Sequence, residues 1–138
     1  MGAYVSLPTW WRSNDSRYRL VLGKCPECGA HNFPAEGVCA SCNADADFEE
    51  VEPEGAGTVQ AVTVISGGAP PEFDEYQTRE GAFATGIIEL AEGARLPGMF
   101  CDCDPSDISR GDRVEAVVRR LYEQEGVPRY GVKFRPVE

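Results

Sequence analysis

A chain of 138 residues, with 23 acidic side chains against 13 basic ones and a net charge of −10, has room for one ordinary domain or for a small metal module beside a second compact one. That excludes a large enzyme core with accessory parts, and the charge opposes a phosphate-backbone partner, whose affinity comes mainly from counterions displaced by Lys and Arg. Lys24 and Lys133 are the only lysines, and this acidic, lysine-poor, Ala/Gly/Val-rich composition resembles proteins of salt-loving archaea, in which surface charge serves solubility.

Residues 7–22 predict a short helical lead-in, with Pro8 suited to a helix start. A strand follows, in which Tyr18, Leu20 and Leu22 alternate with Arg19 and Val21. Trp10 and Trp11 beside Arg12 have the composition of an interface hot spot. They fall outside both expected modules, so they are candidates for binding a partner; the competing reading packs one Trp onto the chain's own surface. Polar and charged positions run through residues 1–22 and no apolar run reaches membrane length, which predicts a cytoplasmic chain without a signal peptide.

Cys25 and Cys28 form one C-x-x-C knuckle, followed directly by Gly29, and Cys39 and Cys42 form a second after a ten-residue gap. Each knuckle places two sulfurs on one tight turn, and the two together supply a tetrahedral thiolate site. Two disulfides are the alternative, disfavoured by the expected compartment. Iron suits four thiolates as well as zinc does; zinc is preferred because nothing else in the chain suggests electron transfer. Four cysteines fill the coordination sphere, so the predicted zinc is a single structural ion. Phe33-Pro34, between the knuckles, is expected to cap the module's small apolar face.

The acids Asp45, Asp47, Glu49, Glu50, Glu52 and Glu54 read as a solvated connector. Beyond it, Thr58–Ile65, Phe83–Leu90, Arg95–Cys103, Arg113–Leu121 and Tyr130–Arg135 read as five strands bounded by Gly, Pro and Asp. Residues 67–81 are expected to be a long polar loop carrying Phe73, Tyr76 and Arg79, a place where function often sits. Five strands at this spacing fit a Greek-key OB-fold barrel. The predicted architecture is therefore mainly β: a lead-in segment at 1–22, a rubredoxin-like zinc ribbon at 23–50 and a five-stranded OB-fold barrel at 51–138.

The order Trp-Trp-Arg, Leu-Val-Leu-Gly-Lys-Cys-Pro-Glu-Cys-Gly, Phe-Pro and Cys-Ala-Ser-Cys, then Glu-Gly-Ala-Arg-Leu and Gly-Asp-Arg-Val, resembles the zinc-ribbon/OB-fold acyl-CoA-associated proteins. The resemblance runs from about Pro8 to Pro136. It implies a non-catalytic scaffold that sits beside thiolases, or beside hydratases and aldolases acting on acyl-CoA. In its archaeal version it implies a bridge between acetoacetyl-CoA thiolase and hydroxymethylglutaryl-CoA synthase at the start of the mevalonate pathway, helping the intermediate pass. Trp10, Trp11, Arg12, Phe33, Phe73 and Tyr76 are the residues expected to meet a partner enzyme or a CoA thioester. Family members commonly place an Arg after the Phe-Pro element where this chain has Ala35-Glu36, so no phosphate contact of that Arg carries over.

No residue set makes a convincing active site. His31, the lone histidine, reads as a loop residue or a donor to a zinc thiolate more readily than as a general base. Cys101 and Cys103, two apart on an expected strand, would share one face and are most simply buried packing residues. Arg110, Arg113, Arg119 and Arg120 do not read as a continuous basic stripe. A single-stranded nucleic-acid binder and a small iron redox protein are the competing classes.

Overall fold

The computed structural model describes residues 7–124 and 126–138; the first six residues of the expected lead-in lie outside these. The order of elements is helix α1 (Leu7–Tyr18), strands β1 (Leu22–Lys24), β2 (His31–Asn32), β3 (Glu49–Val51) and β4 (Ala56–Ile65), a 3-10 turn at Pro71–Phe73, helix α2 (Asp74–Glu80), and strands β5 (Phe83–Leu90), β6 (Arg95–Met99), β7 (Arg113–Gln124) and β8 (Val127–Pro136). Strands β2-β1-β3 form a small antiparallel sheet around the cysteines. The other five form a sheet in the order β6-β5-β4-β7-β8. A parallel bridge between Phe100 and Phe134 brings the end of β6 onto β8 and nearly closes that sheet into a barrel. This is the OB-fold order, and the mainly β, ribbon-then-barrel architecture expected from the sequence is the one observed.

One core serves both parts. Val59, Ala84, Ile88, Leu90, Leu96, Phe100, Val114 and Phe134 fill the barrel, and Leu20 and Leu22 enter the same cluster from the ribbon side, with Phe33 packed against it. Leu22 is fully buried, worth about 1.5–3 kcal/mol by transfer. Gly98 on β6 is required by close approach. A Cβ there would stand 2.8 Å from the Phe134 ring and 2.9 Å from Ile88, well inside contact distance.

Three local expectations are corrected. Residues 18–22 are not a continuous strand: α1 runs to Tyr18, and Leu20 adopts φ +52. Leu20, Val21 and Leu22 are all buried, because the chain reverses direction there and turns consecutive side chains inward. The N–H groups of Arg19 and Val21 both donate to the Asp15 carbonyl, each at 3.2 Å, which holds the reversal. The polar loop of residues 67–81 contains the 3-10 turn and α2, with Pro71 at its first position, Asp74 and Glu75 in the first turn of α2 and Arg79 in its last, an arrangement that complements the helix dipole. The third barrel strand stops at Met99, and Asp102 at φ +59 breaks the chain before Cys103, so Cys101 and Cys103 do not share a strand face.

Among the described residues no helix is long and apolar enough to cross a membrane.

Candidate metal centre and partner surfaces

The two knuckles are built alike. In the first, Gly29 N–H donates to the Cys25 carbonyl and Cys25 N–H to the Ala30 carbonyl, each at 2.8 Å. In the second, Asn43 N–H donates to the Cys39 carbonyl at 2.9 Å and Cys39 N–H to the Ala44 carbonyl at 3.0 Å. Both turns need one residue in the left-handed region, filled by Gly29 (φ 76) and by Asn43 (φ 60), the two residue types that adopt it at least cost. The four sulfurs lie within 4.8 Å of one another. Cys25 and Cys42 are 3.7 Å apart at Sγ, and Cys28 and Cys39 3.6 Å. A zinc tetrahedron with 2.3 Å bonds has edges of about 3.8 Å, which the two short sulfur pairs match, so the four cysteines are positioned to hold one such ion. Zinc bound there supplies a structural crosslink between the two turns.

The electrostatics prepare the cage for a cation. N–H groups of Cys42 and Ser41, then the Asn32 amide, hold the Cys39 thiol down at about 6. Cys42 is pushed up to about 12: the Ala44 N–H favours its thiolate but is outweighed by hydrogen bonding with Cys28, by desolvation, and by Cys25 and Cys39. Binding a metal requires both as thiolates and releases their protons. The side chain that reaches a sulfur is Asn32, buried on β2, with Nδ2 3.5 Å from Cys39 Sγ. Its neighbour His31 lines a cleft with Ala94 and Arg95, to which Asn32 also contributes. The expectation of a loop residue or a thiolate donor at His31 overlooked the buried Asn beside it.

Of the candidate partner residues, Phe33 packs against the shared core and lines the same cleft as His31, and the other five fall into two groups. Trp10, Trp11 and Arg12 lie on α1 and are not equivalent. Trp10 is half-buried, edge-on to Tyr18 with ring centroids 6.2 Å apart, and has the Arg17 guanidinium 4.9 Å and that of Arg129 5.6 Å from its ring centroid. Trp11 is 77% exposed and Leu7 79%. Arg12 borders a cleft of about 370 Å³ that it shares with Pro34, Ala35 and Glu36, so a basic side chain from α1 stands beside the position after Phe33-Pro34. Phe73 and Tyr76 form the second group, far along the chain under α2. Phe73 stacks on Phe83 at 5.8 Å and tilts against Tyr122 at 5.0 Å, and Tyr76 meets Phe83 edge-on at 5.5 Å. They anchor α2 to the barrel, which the reading of a polar loop missed; their spacing of three residues was the available signal.

Two further concavities flank that anchor. Phe73 also borders an apolar groove of about 530 Å³ with Ile87, Met99, Leu121 and Val132, where β4 and β7 diverge after pairing only from Ala56 to Thr58. Tyr76 borders a second groove of about 570 Å³, with Cys101, Cys103, Arg119 and Lys133 in its lining. Burial, reinforced by the Asp102 charge, pushes the Cys101 thiol up to about 11, so it is protonated at neutral pH and is not an activated nucleophile. His31 and Cys101 line different cavities. Arg19, Arg79, Arg95, Arg119, Arg120 and Arg135 are all in ion pairs with carboxylates.

Comparison with known proteins agrees with this architecture. A family model described as the ChsH2 rubredoxin-like zinc ribbon domain matches residues 15–49, and one described as the ChsH2 C-terminal OB-fold domain matches residues 50–119. A protein of Methanocaldococcus jannaschii described as a DUF35 domain-containing scaffold protein is 39% identical over 93% of this chain and 89% of its own length. One of the same description from Methanothermobacter thermautotrophicus is 37% identical over 91% of this chain and 92% of its own. Among solved structures, an Ltp2-ChsH2(DUF35) aldolase superposes with a TM-score of 0.67 at 24% identity, covering 99% of this chain and 98% of the matched chain. A DUF35-family protein of unknown function from Sulfolobus solfataricus superposes with a TM-score of 0.52 at 16% identity, covering 96% and 100%.

Proposed function

The chain belongs to the DUF35 family of proteins with a ChsH2-type zinc ribbon and OB-fold, and from that premise we propose that it is a non-catalytic scaffold subunit of an acyl-CoA-processing complex. The observation that carries the reading is the match, along nearly the whole chain, to relatives described as scaffold proteins. A closed four-thiolate cage, a protonated Cys101 and a His31 that lines a different cavity are all compatible with a chain that organises chemistry done elsewhere. In its specific form, the scaffold bridges a thiolase and hydroxymethylglutaryl-CoA synthase and helps acetoacetyl-CoA pass between them, raising its effective concentration at the second active site.

On this reading Trp11 and Leu7, the large exposed apolar residues of α1, dock into a partner enzyme, with Arg12 at the margin and Phe33 supporting the cleft behind it. Trp10 holds α1 in place. Phe73 and Tyr76 position α2 beside the grooves that face the partner or its CoA thioester. An aldolase, a hydratase or another thiolase as the partner is the alternative, favoured by the fold shared with a chain of an Ltp2-ChsH2(DUF35) aldolase; single-stranded nucleic acid is the other.

The test is a high-salt affinity capture of the full chain from its native extract, with identification of what is retained. Recovery of a thiolase with hydroxymethylglutaryl-CoA synthase supports the specific form. An aldolase or hydratase moves the scaffold to another acyl-CoA pathway, and RNA or polymerase components overturn the proposal.

A further inference from the structure

The groove beneath α2 contains a charge that scaffolding does not use. Lys133, on β8, is only 3% exposed. Phe134 enters the barrel core, and Lys133, one residue earlier, projects to the other face beneath α2. Among the described residues no carboxylate lies within ion-pair distance of its ammonium. Its Nζ donates to the Tyr76 hydroxyl at 3.2 Å and stands 4.5 Å from the same ring's centroid. One neutral hydroxyl and one ring face are incomplete compensation for a cation removed from water. Burial accordingly lowers its pKa.

The surroundings define what would complete it. The lining of the groove includes Arg79, Arg119, Arg120 and Lys133 against Glu80 and Asp102, a local excess of positive charge in a chain of net charge −10. The guanidiniums are already engaged: Arg119 with Asp102 at 2.8 Å, Arg79 with Glu80 and Glu123 at 3.2 Å each, and Arg120 with Glu123 at 3.3 Å. The uncompensated charge is therefore the single ammonium. Phe83 and Phe100 provide apolar wall beside it.

We propose that this groove is a binding site for a monocarboxylate with a short apolar body, its carboxylate pairing with Lys133 and its chain lying against Phe83 and Phe100. A monoanion balances one ammonium. Phosphate carries about −1.5 to −2 at neutral pH and is best recognised by guanidinium forks, which here are committed to carboxylates. The inference concerns a groove that the scaffold reading also places beside the partner, but it rests on Lys133 alone and is tested without any partner enzyme.

With only two lysines in the chain, ε-carbon-13 lysine labelling of the full zinc-loaded protein gives one signal from buried Lys133 and one from exposed Lys24, an internal control. Sodium butyrate is titrated against sodium chloride of equal ionic strength and against inorganic phosphate. The expected result is a saturable shift of the Lys133 signal with butyrate alone, Lys24 behaving as in chloride, and, by titration calorimetry of both chains, butyrate affinity at least tenfold weaker in Lys133→Met. The proposal is overturned if neither signal responds specifically, if both move alike, or if phosphate moves Lys133 at lower concentration than butyrate. The titration of the unsubstituted chain decides by itself should the variant fail to fold.

Discussion

Asn32 serves Cys39 from both ends of one amide: its Nδ2 lies 3.5 Å from the Cys39 sulfur, and its Oδ1 accepts the Ala40 N–H at 2.9 Å. A single buried side chain thereby supports a thiolate and fixes the turn that carries it. Asn32→Ala removes a donor from the sulfur and leaves the Ala40 N–H without its acceptor. Zinc affinity is expected to fall about 10–100-fold, read by competition with a chromophoric chelator. Unchanged affinity would show that the four sulfurs alone set it.

The two tryptophans of α1 should separate cleanly. Trp10→Ala removes the ring that Tyr18 and Arg17 pack against, and a loss on the order of 1–3 kcal/mol is expected. Trp11→Ala, at an exposed position, should stay within about 0.5 kcal/mol yet weaken retention of the partner enzymes. Thermal melts and co-elution measure the two effects on the same preparations. Undiminished co-elution of the Trp11 variant would remove α1 from the docking surface.

Gly98→Ala forces a methyl against Phe134 and Ile88 at under 3 Å. Overpacking of this kind costs about 1–3 kcal/mol, and the Phe100–Phe134 bridge beside it should loosen first. Hydrogen exchange is the direct readout: the Cys101 amide, which donates to the Phe134 carbonyl at 2.9 Å, should lose protection ahead of amides in β4 and β5.

Lys133 gives a pH signature of known sign. Its pKa in the folded chain is depressed, chiefly by burial, so below that value both folded and unfolded chains carry the proton and the folded one bears the desolvation cost. Between the folded value and the ordinary value of about 10.4 the unfolded chain binds more protons, and stability rises with pH. Lys133→Met should therefore be at least as stable as the parent at neutral pH. The gain should be on the order of 1 kcal/mol or less after solvent screening, and should shrink as pH climbs through that window. Urea melts at neutral and alkaline pH check it; an advantage that widens with pH would contradict the burial argument.

The legible parts of this chain were those in which residue type and spacing have one physical meaning. Two cysteine knuckles specify a cage whatever surrounds them, and β-branched runs between glycines specify strands. The reversal at Leu20 was not legible, because Tyr18, Leu20 and Leu22 carry an alternation that a strand would also show, and only tertiary burial of all three of Leu20, Val21 and Leu22 discriminates. Helix α2 was masked by its polar composition, although Phe73 and Tyr76 sit at helical spacing. The groove under α2 was least visible. Its members come from α2, the start of β5, the segment after β6, β7 and β8, and no local pattern says that Lys133 loses its water.

Helix α1 rests partly on β8: Arg17 lies 3.4 Å from where a side chain on Gly131 would begin, and Arg129 reaches the Trp10 ring. The first and last elements of the described chain are thus mutual supports, separated by more than a hundred residues of intervening synthesis. Contacts of such long range form late, and during translation the helix must wait for β8 to emerge. The Trp11 face is consequently presented in its fixed orientation only after the barrel has been assembled, so an enzyme that recognises it distinguishes a completed fold from a nascent one.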